Sequence, residues 1–284
     1  MTSSPIVARW ELSRRLDSLR KERGLDVKAI TDHLDFSRNY WSAVINDRTL
    51  IAPDTLEKLL DLFELPDNER RQIMELRSTA KKHAWWDDYQ RLGGDSKRIC
   101  GLEDGASRIR VFEGQLIPGL LQIPLYTRAL MKSDPKHSTL GTDEVVAARQ
   151  RRQEVLTRDP PVAYEALLTE GALRQQPAGL EVQREQLHYI ADLAEHPNAD
   201  VTVRVIPFAA DPGVILSAST LVFFDFEPTS HLSSISWQEA IRPLGFLEPG
   251  HEDFRHLEHA WTQGWKGSLN AEDSLQLLRR VATE

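Results

Sequence analysis

Residues 25–46, LDVKAITDHLDFSRNYWSAVIN, decide how the first part of the chain is read. Ile30 and Leu34 put apolar groups on one face of a short helix, and Trp41, Val44 and Ile45 do the same on a second. Asp35-Phe36 supplies the turn between them. Ser37 is an N-cap, because its hydroxyl can accept from an orphan backbone NH of the helix that it opens. The outward positions of the second helix are then Arg38, Asn39, Ser42 and Ala43. Arg pairs bidentately with guanine and Asn with adenine in the major groove, and a small residue such as Ala43 allows close approach. The pair of helices therefore has the chemistry of a base-reading surface.

A helix pair of this kind needs neighbours to bury its inner face. Val7 to Arg23 carries Leu12, Leu16 and Leu19 at helical spacing, and Gly24 stands where a C-terminal stop is expected. Pro53 and Asp54 open a stretch with Leu56, Leu59, Leu60 and Phe63 on one face, ended by Pro66. The order Leu16, Leu19, Gly24-Leu25, Ser37-Arg38 before Tyr40, and Pro53 before the fourth helix resembles the repressor and Cro, or Xre, type of helix-turn-helix domain over roughly residues 7 to 65. Val27 departs from the Gln common in that family. Ile45 and Asp47 replace a common Glu and Gly, although Asn46-Asp47 can still form the left-handed turn that ends the helix. A helical bundle that binds protein is the competing reading of these residues.

The chain has 284 residues and 40% hydrophobic content, enough for two ordinary globular cores. Its single cysteine, Cys100, excludes an internal disulfide and predicts a reducing, cytoplasmic setting. Lys97 and Arg98 beside it could activate a thiol, but an ordinary cysteine is the expectation. The opening MTSSPIVARWELSRR has no long apolar run, and no segment reaches the ~20 apolar residues that cross a bilayer, so neither secretion nor a membrane partner is expected. A formal net charge of -8 opposes binding to phosphate backbones. Between Val7 and Arg48, however, nine cations (Arg9, Arg14, Arg15, Arg20, Lys21, Arg23, Lys28, Arg38 and Arg48) face seven anions. So mild an excess predicts weak nonspecific binding by one copy, and a homodimer on a two-fold site would double the contacts.

After Pro66 the sequence reads as one long connecting helix over DNERRQIMELRSTAKKHAWWDDYQRLG, stopped by Gly93-Gly94. Trp85 and Trp86 point about 100° apart on such a helix, so one of them should be buried as an anchor between domains. From Arg108 onward the texture alternates. RIRVFEG, AYEALLTE, VTVRVIPF, STLVFFDF and HLSSISW read as strands, and PLYTRALMK, DEVVAARQRRQEVLTR, GLEVQREQLHYIADLAEH and AEDSLQLLRRVA as helices. The fold class expected is α+β: an all-helical helix-turn-helix bundle at 1–66, a connecting helix and linker at 67–99, and a mixed α/β domain at 100–284.

Within that last domain, Glu113 precedes Ile117-Pro118-Gly119-Leu120-Leu121-Gln122 and then Tyr126-Thr127-Arg128-Ala129-Leu130. Arg149, Arg152, Gln153 and Leu156 follow, then Glu170-Gly171-Ala172-Leu173-Arg174, Trp261, and Ala271 to Arg279. These motifs resemble the actinobacterial Scr-type regulators, which join an Xre helix-turn-helix to a family-specific C-terminal domain; the likeness covers most of residues 80 to 284, and Thr127 departs from the usual Ala. The resemblance implies an antitoxin-like transcriptional regulator whose C-terminal domain engages a small partner protein encoded by a neighbouring gene. Read physically, Pro118-Gly119 makes a turn with positive φ at the glycine, and Leu120, Leu121 and Tyr126 pack the next segment onto the sheet. The charges allow a second reading. Arg149, Arg152 and Gln153 share a helix face and, with Glu113 or Glu170, would form a polar cluster that binds a partner or ligand, together with Gln122 and Tyr126.

Enzymatic signatures are thin. The chain has no Gly-rich phosphate loop, HExxH, CxxC pair or GxSxG, and nothing singles out Asp211 or Asp225 as a catalytic acid. His256 and His259 lie one helical turn apart near His251, Glu252 and Glu258, but no second pair completes a zinc site. The reading is therefore a non-enzymatic, cofactor-free and metal-free DNA-binding regulator. Arg38 and Asn39 read bases with a smaller share from Ser42, Ser37 caps the reading helix, and Lys28, Tyr40, Asn46 and Arg48 contact phosphates on a double-stranded operator. The alternative is a protein-binding antagonist of the small partner, with DNA binding secondary.

Overall fold

A computed structural model describes residues 4–133, 142–211, 213–217, 220–227, 232–239 and 245–284. Ser219 and His231, the first residues of two expected strands, lie outside them. The chain divides into two compact units: Met1–Asp88 with Gly93–Gly105 and Glu227–Leu232, and Tyr89–Leu92 with Ala106–Phe226 and Ser233–Glu284.

The first unit is helical: α1 (Pro5–Glu22), α2 (Val27–Leu34), α3 (Arg38–Ile45), α4 (Pro53–Leu62), α5 (Asp67–Ala80) and α6 (Gly94–Gly105). Leu12, Leu16 and Leu19 of α1 meet Ile30, Trp41 and Val44 of the central pair and Leu56, Leu59, Leu60 and Phe63 in one buried cluster. Burying each of these side chains contributes about 1.5–3 kcal/mol relative to exposure. Gly24 takes φ +64° just beyond α1, the left-handed geometry that costs glycine nothing. The fourth helix stops at Leu62, with Glu64 at φ 51°, four residues before the proline expected to end it. Pro66 instead stands at the N-cap of α5.

The single long helix expected from Asp67 to Leu92 is corrected. It ends at Ala80, where the Lys81 and Lys82 amides reach back three residues to Ser78 and Thr79. The Asp87 carboxylate then accepts from Ala84 N at 3.0 Å, next to a 3-10 turn over Trp85–Asp88 in which Trp86 is buried and Trp85 half-buried. Local carboxylate bonding and aromatic burial here override helix propensity. Gly93-Gly94, expected to stop a helix, leads into α6. A Cβ on Gly101 would lie 2.5 Å from Ile6 Cβ, and one on Gly105 2.5 Å from Val7 Cγ2, so both positions need glycine for α6 to lie against α1. Ser4 Oγ donates to Gly101 O at 2.6 Å in the same contact. Residues 94–105 thus pack with the helical unit. Cys100 is buried in α6.

The second unit is built on β1 (Arg108–Glu113), α7 (Pro124–Ser133), α8 (Thr142–Arg152), β2 (Ala163–Thr169), α9 (Glu170–Arg174), α10 (Leu180–Ala194), β3 (Asp200–Ile206), β4 (Thr220–Asp225), β5 (Ser234–Glu239), β6 (Phe246–Leu247), α11 (Glu252–Gly267) and α12 (Ala271–Thr283). Six strands form one sheet in the order β3-β2-β1-β4-β5-β6; the first three are parallel, and β4, β5 and β6 each run antiparallel to the strand before them in that order. The five expected strands are present, while β6, α6, α9 and α11 were not singled out as elements. Phe112 stands between Leu167 and Leu221 across the sheet, and this row packs with Phe223 against Phe254 and Trp261 of α11. The outer edge of β3 is closed by Leu269 N donating to Val205 O at 2.9 Å and Ser274 Oγ accepting from Val205 N at 3.0 Å. These bonds satisfy the outward backbone groups of Val205. The eighth helix, expected to run to Arg158, stops at Arg152 and passes into a 3-10 turn, Gln153–Leu156.

Candidate nucleic-acid interface

Each end of the helix-turn-helix is fixed by its own side chains. Asp26 caps α2 by accepting from Ala29 N at 2.6 Å, Asp35 takes the left-handed conformation at φ 52°, and Ser37 Oγ caps α3 by accepting from Tyr40 N at 3.1 Å. Such caps contribute about 1 kcal/mol each. Phe36 packs edge-on to Tyr40 with ring centres 5.1 Å apart, which ties the turn to α3. On the outer side, Arg38 and Asn39 are exposed in the first turn of α3, Lys28 is exposed in the first turn of α2, and Arg48 is exposed just beyond α3. Among the described residues none engages these four side chains.

The other expected DNA contacts are placed differently. Tyr40 is half-buried and its hydroxyl accepts from Ala52 N at 3.3 Å, so it holds the α3–α4 loop. Asn46 folds back to donate from Nδ2 to Ser42 O at 2.7 Å and lies 3.3 Å from Ser42 Oγ, occupying both side chains on the surface. On α3 itself the polar side chains left free, Arg38 and Asn39, are at its amino end. There the positive end of the helix dipole also faces outward, as phosphate contact requires.

Sequence reasoning missed the groups that hold the other end of α3. Three α1 side chains reach carbonyls of its last turn and of the turn after it: Ser13 Oγ donates to Val44 O at 2.8 Å, Arg14 Nη1 to Ile45 O at 3.5 Å, and Arg9 Nη2 to Asp47 O at 3.0 Å. Asp47, at φ 56°, has its carboxylate 2.7 Å from Arg9 Nε and 2.7 Å from Arg98 Nη2. Burial pushes the Asp47 carboxyl above the ordinary aspartate range, against the pull of Arg9, Arg98 and Arg14. The available signal was Asp47 itself, a non-glycine residue where the turn needs positive φ.

The internal pairing also trims the basic surface. Arg15 is bound to Glu22 and Glu69, and Arg20 and Lys21 to Asp17. Burial raises the Asp17 carboxyl, but hydrogen bonds and charge from Lys21 and Arg20 prevail and hold it below the usual value. Arg23, Lys28, Arg38 and Arg48 are exposed, and Lys21, also exposed, is held by Asp17.

In the second unit most of the expected cluster assembles at the carboxyl end of β1. Gln122 is buried and its amide is spent within the protein: Nε2 donates to Ile117 O at 2.6 Å, while Oε1 accepts from Arg149 Nη1 at 2.6 Å and Thr127 Oγ1 at 3.1 Å. Gln153 Nε2 donates to Gln122 O at 2.6 Å. The Tyr126 hydroxyl accepts from Ile117 N at 3.3 Å; burial pushes its phenol up, with Glu113 adding to the shift and the Ile117 amide opposing it. Glu113 accepts from Thr220 Oγ1 at 2.9 Å. Gly119 is not at positive φ as expected but in a 3-10 turn, Gly119–Leu121, where its open side faces the guanidinium groups of Arg152 and Arg149 at 3.7 and 3.9 Å from a Cβ position. Glu170 does not join the cluster; it pairs with Arg174 at 2.9 Å and accepts from Phe208 N at 3.0 Å. These bonds build a rigid loop over residues 117–122, the packing role considered for the motif.

Among the described residues no helix is long and apolar enough to cross a membrane. No group of three or more His, Cys, Asp or Glu among them is placed to hold a metal ion. His251 instead caps α11 by accepting from Asp253 N at 3.2 Å.

No curated protein and no solved structure matches the chain. Residues 11–73 match a family model described as a helix-turn-helix domain, which supports a DNA-binding regulator. Residues 96–280, more than half of the chain, match a second model, and by that match the protein belongs to the family described as a domain of unknown function (DUF5753), here joined to an N-terminal helix-turn-helix.

Proposed function

We propose that this protein is a sequence-specific, non-enzymatic transcriptional regulator of Xre and Scr type that binds a pseudo-palindromic operator as a homodimer. The observation that carries the reading is the pair Arg38 and Asn39, exposed on the first turn of a helix whose amino end is capped by Ser37 and whose carboxyl end is tied to α1. Arg38 reads guanine and Asn39 adenine, while Lys28 and Arg48 hold phosphates. The C-terminal domain serves dimerisation and recognition of a small partner protein in an antitoxin-like arrangement, in the cytoplasm.

The test is a footprint on DNA around the protein's own gene at two salt concentrations, with Arg38→Ala beside the wild type. Arg38→Ala is expected to lose about 1–3 kcal/mol on the protected site and to relax one base position. Equal losses on that site and on scrambled DNA would remove the base-reading role. Absence of protection even at low salt would favour a protein-binding module.

A further inference from the structure

The helix-turn-helix match ends at residue 73, and the DUF5753 match begins at residue 96. Arg98 lies in the second match, on α6, yet its guanidinium meets the carboxyl end of α3. It donates from Nη2 to Asp47 Oδ2 at 2.7 Å and lies 4.5 Å over the Trp10 ring of α1. Asp47 adopts φ 56°, a conformation that costs a non-glycine residue energy unless its surroundings hold it. What holds it is a three-sided clamp: Arg9 on its carbonyl and carboxylate, Arg98 on the second carboxylate oxygen, and the turn amides Asp47 N to Val44 O, Arg48 N to Ala43 O and Thr49 N to Ala43 O. The Asp47 side chain is 12% exposed. Arg48 follows it directly and is exposed.

We infer that Arg98 is a positioning residue for DNA recognition, which fixes the end of α3 and the aim of Arg48 through Asp47, so that α6 of the DUF5753 region is a working part of the DNA-reading unit. The inference rests on the proposed DNA-binding function. Arg98 reaches the end of the recognition helix through Asp47 and is engaged there, so it acts by positioning and not as a phosphate contact. The glycine contacts of Gly101 and Gly105 with α1 fix α6 at the distance this requires.

Charge and geometry make opposite predictions for Asp47→Asn. Asparagine has the same shape and tolerates positive φ, so the turn can still form. Removing a carboxylate beside phosphate-binding residues should strengthen DNA binding if only charge matters, whereas loss of the clamp should weaken it. The experiment uses the full-length protein and a DNA site selected from a random pool by the wild type. Asp47→Asn and Arg98→Gln are each expected to weaken that site about tenfold, the loss of one charge-assisted hydrogen bond. Arg98→Lys should restore most of the affinity. The salt slope should stay unchanged, where a lost phosphate contact would lower it by about 0.9.

Hydrogen exchange supplies a readout that needs no DNA. The amides of residues 47–49 should exchange faster in Asp47→Asn and Arg98→Gln, with α1 and α2 protected as in the wild type. Unchanged exchange at 47–49, or binding by Asp47→Asn as tight as or tighter than wild type, overturns the inference. A wild type that selects no DNA defeats the proposed function instead; the clamp then stands or falls on exchange alone.

Discussion

Gly101→Ala offers the sharpest check on the packing that places α6. A Cβ at this position would lie 2.5 Å from Ile6 Cβ, 2.6 Å from Cδ1 and 2.8 Å from Cγ1. Carbon atoms in contact sit about 3.5–4.0 Å apart, so roughly 1 Å of relief is needed. Rotating Ile6 moves Cγ1 and Cδ1 away but leaves Cβ in place, because Cβ is bonded to the backbone of α1. The two helices must therefore separate. Overpacking of this kind costs about 1–3 kcal/mol, and separation also stretches the 2.6 Å bond from Ser4 Oγ to Gly101 O, worth about 1 kcal/mol. Alanine returns about 1 kcal/mol in helix propensity. The balance is a destabilisation of about 1–3 kcal/mol, measured by urea denaturation. Gly94→Ala is the control, since a Cβ there meets nothing within 4 Å; it should stay within about 0.5 kcal/mol of wild type. Ile6→Ala keeps the Cβ that forces the separation, so it should relieve little of the cost in the double variant. A Gly101→Ala protein as stable as wild type would refute the close approach.

Two further outcomes follow from the charges. Asp17 is held below the usual aspartate value, so its contribution is present above that value and fades as pH falls through the depressed one; Asp17→Asn should remove this part of the acid dependence of the urea midpoint. The effect should be small, because pairs open to water are screened. Arg110 binds Asp225 through two bonds at 2.8 and 2.9 Å under the Phe223 ring, and Arg110→Met should cost about 3 kcal/mol in thermal unfolding by stranding the carboxylate. Replacing both members, as Arg110→Met with Asp225→Leu, should cost less than the single change.

The helix pair at 27–45 was legible because its signals are local: apolar spacing, a cap at Ser37 and a turn at Asp35. The five longer strands were legible for the same reason, through runs of β-branched and aromatic residues. The misread stretches depend on contacts far along the chain. Nothing local marks Gly101 and Gly105 as packing positions; Ile6 and Val7, almost a hundred residues away, make them so. Asn46 and Tyr40 carried polar groups suited to phosphates, but Ser42 and Ala52 claim those groups first. In the C-terminal unit, periodicity placed Arg149, Arg152 and Gln153 on one face. It had no means of showing that Arg149 and Gln153 would meet at Gln122, or that Arg174 would draw Glu170 away.

An acidic protein reaching DNA has to separate cations that build the fold from cations that meet the ligand. Here the division follows the helices. Arg9, Arg14, Arg15, Arg20 and Lys21 belong to α1, and each is drawn to a carboxylate or a carbonyl within the first unit. Lys28 and Arg38 lie in the first turns of α2 and α3 and Arg48 just beyond α3, and all three are exposed. Few free charges give little nonspecific attraction, so discrimination between sequences has to come from how accurately α3 is aimed. Half-buried arginines supply that aim. Arg9, Arg14 and Arg98 converge on the last turn of α3 and on Asp47, so charge withheld from the phosphates is used to fix the helix that reads the bases.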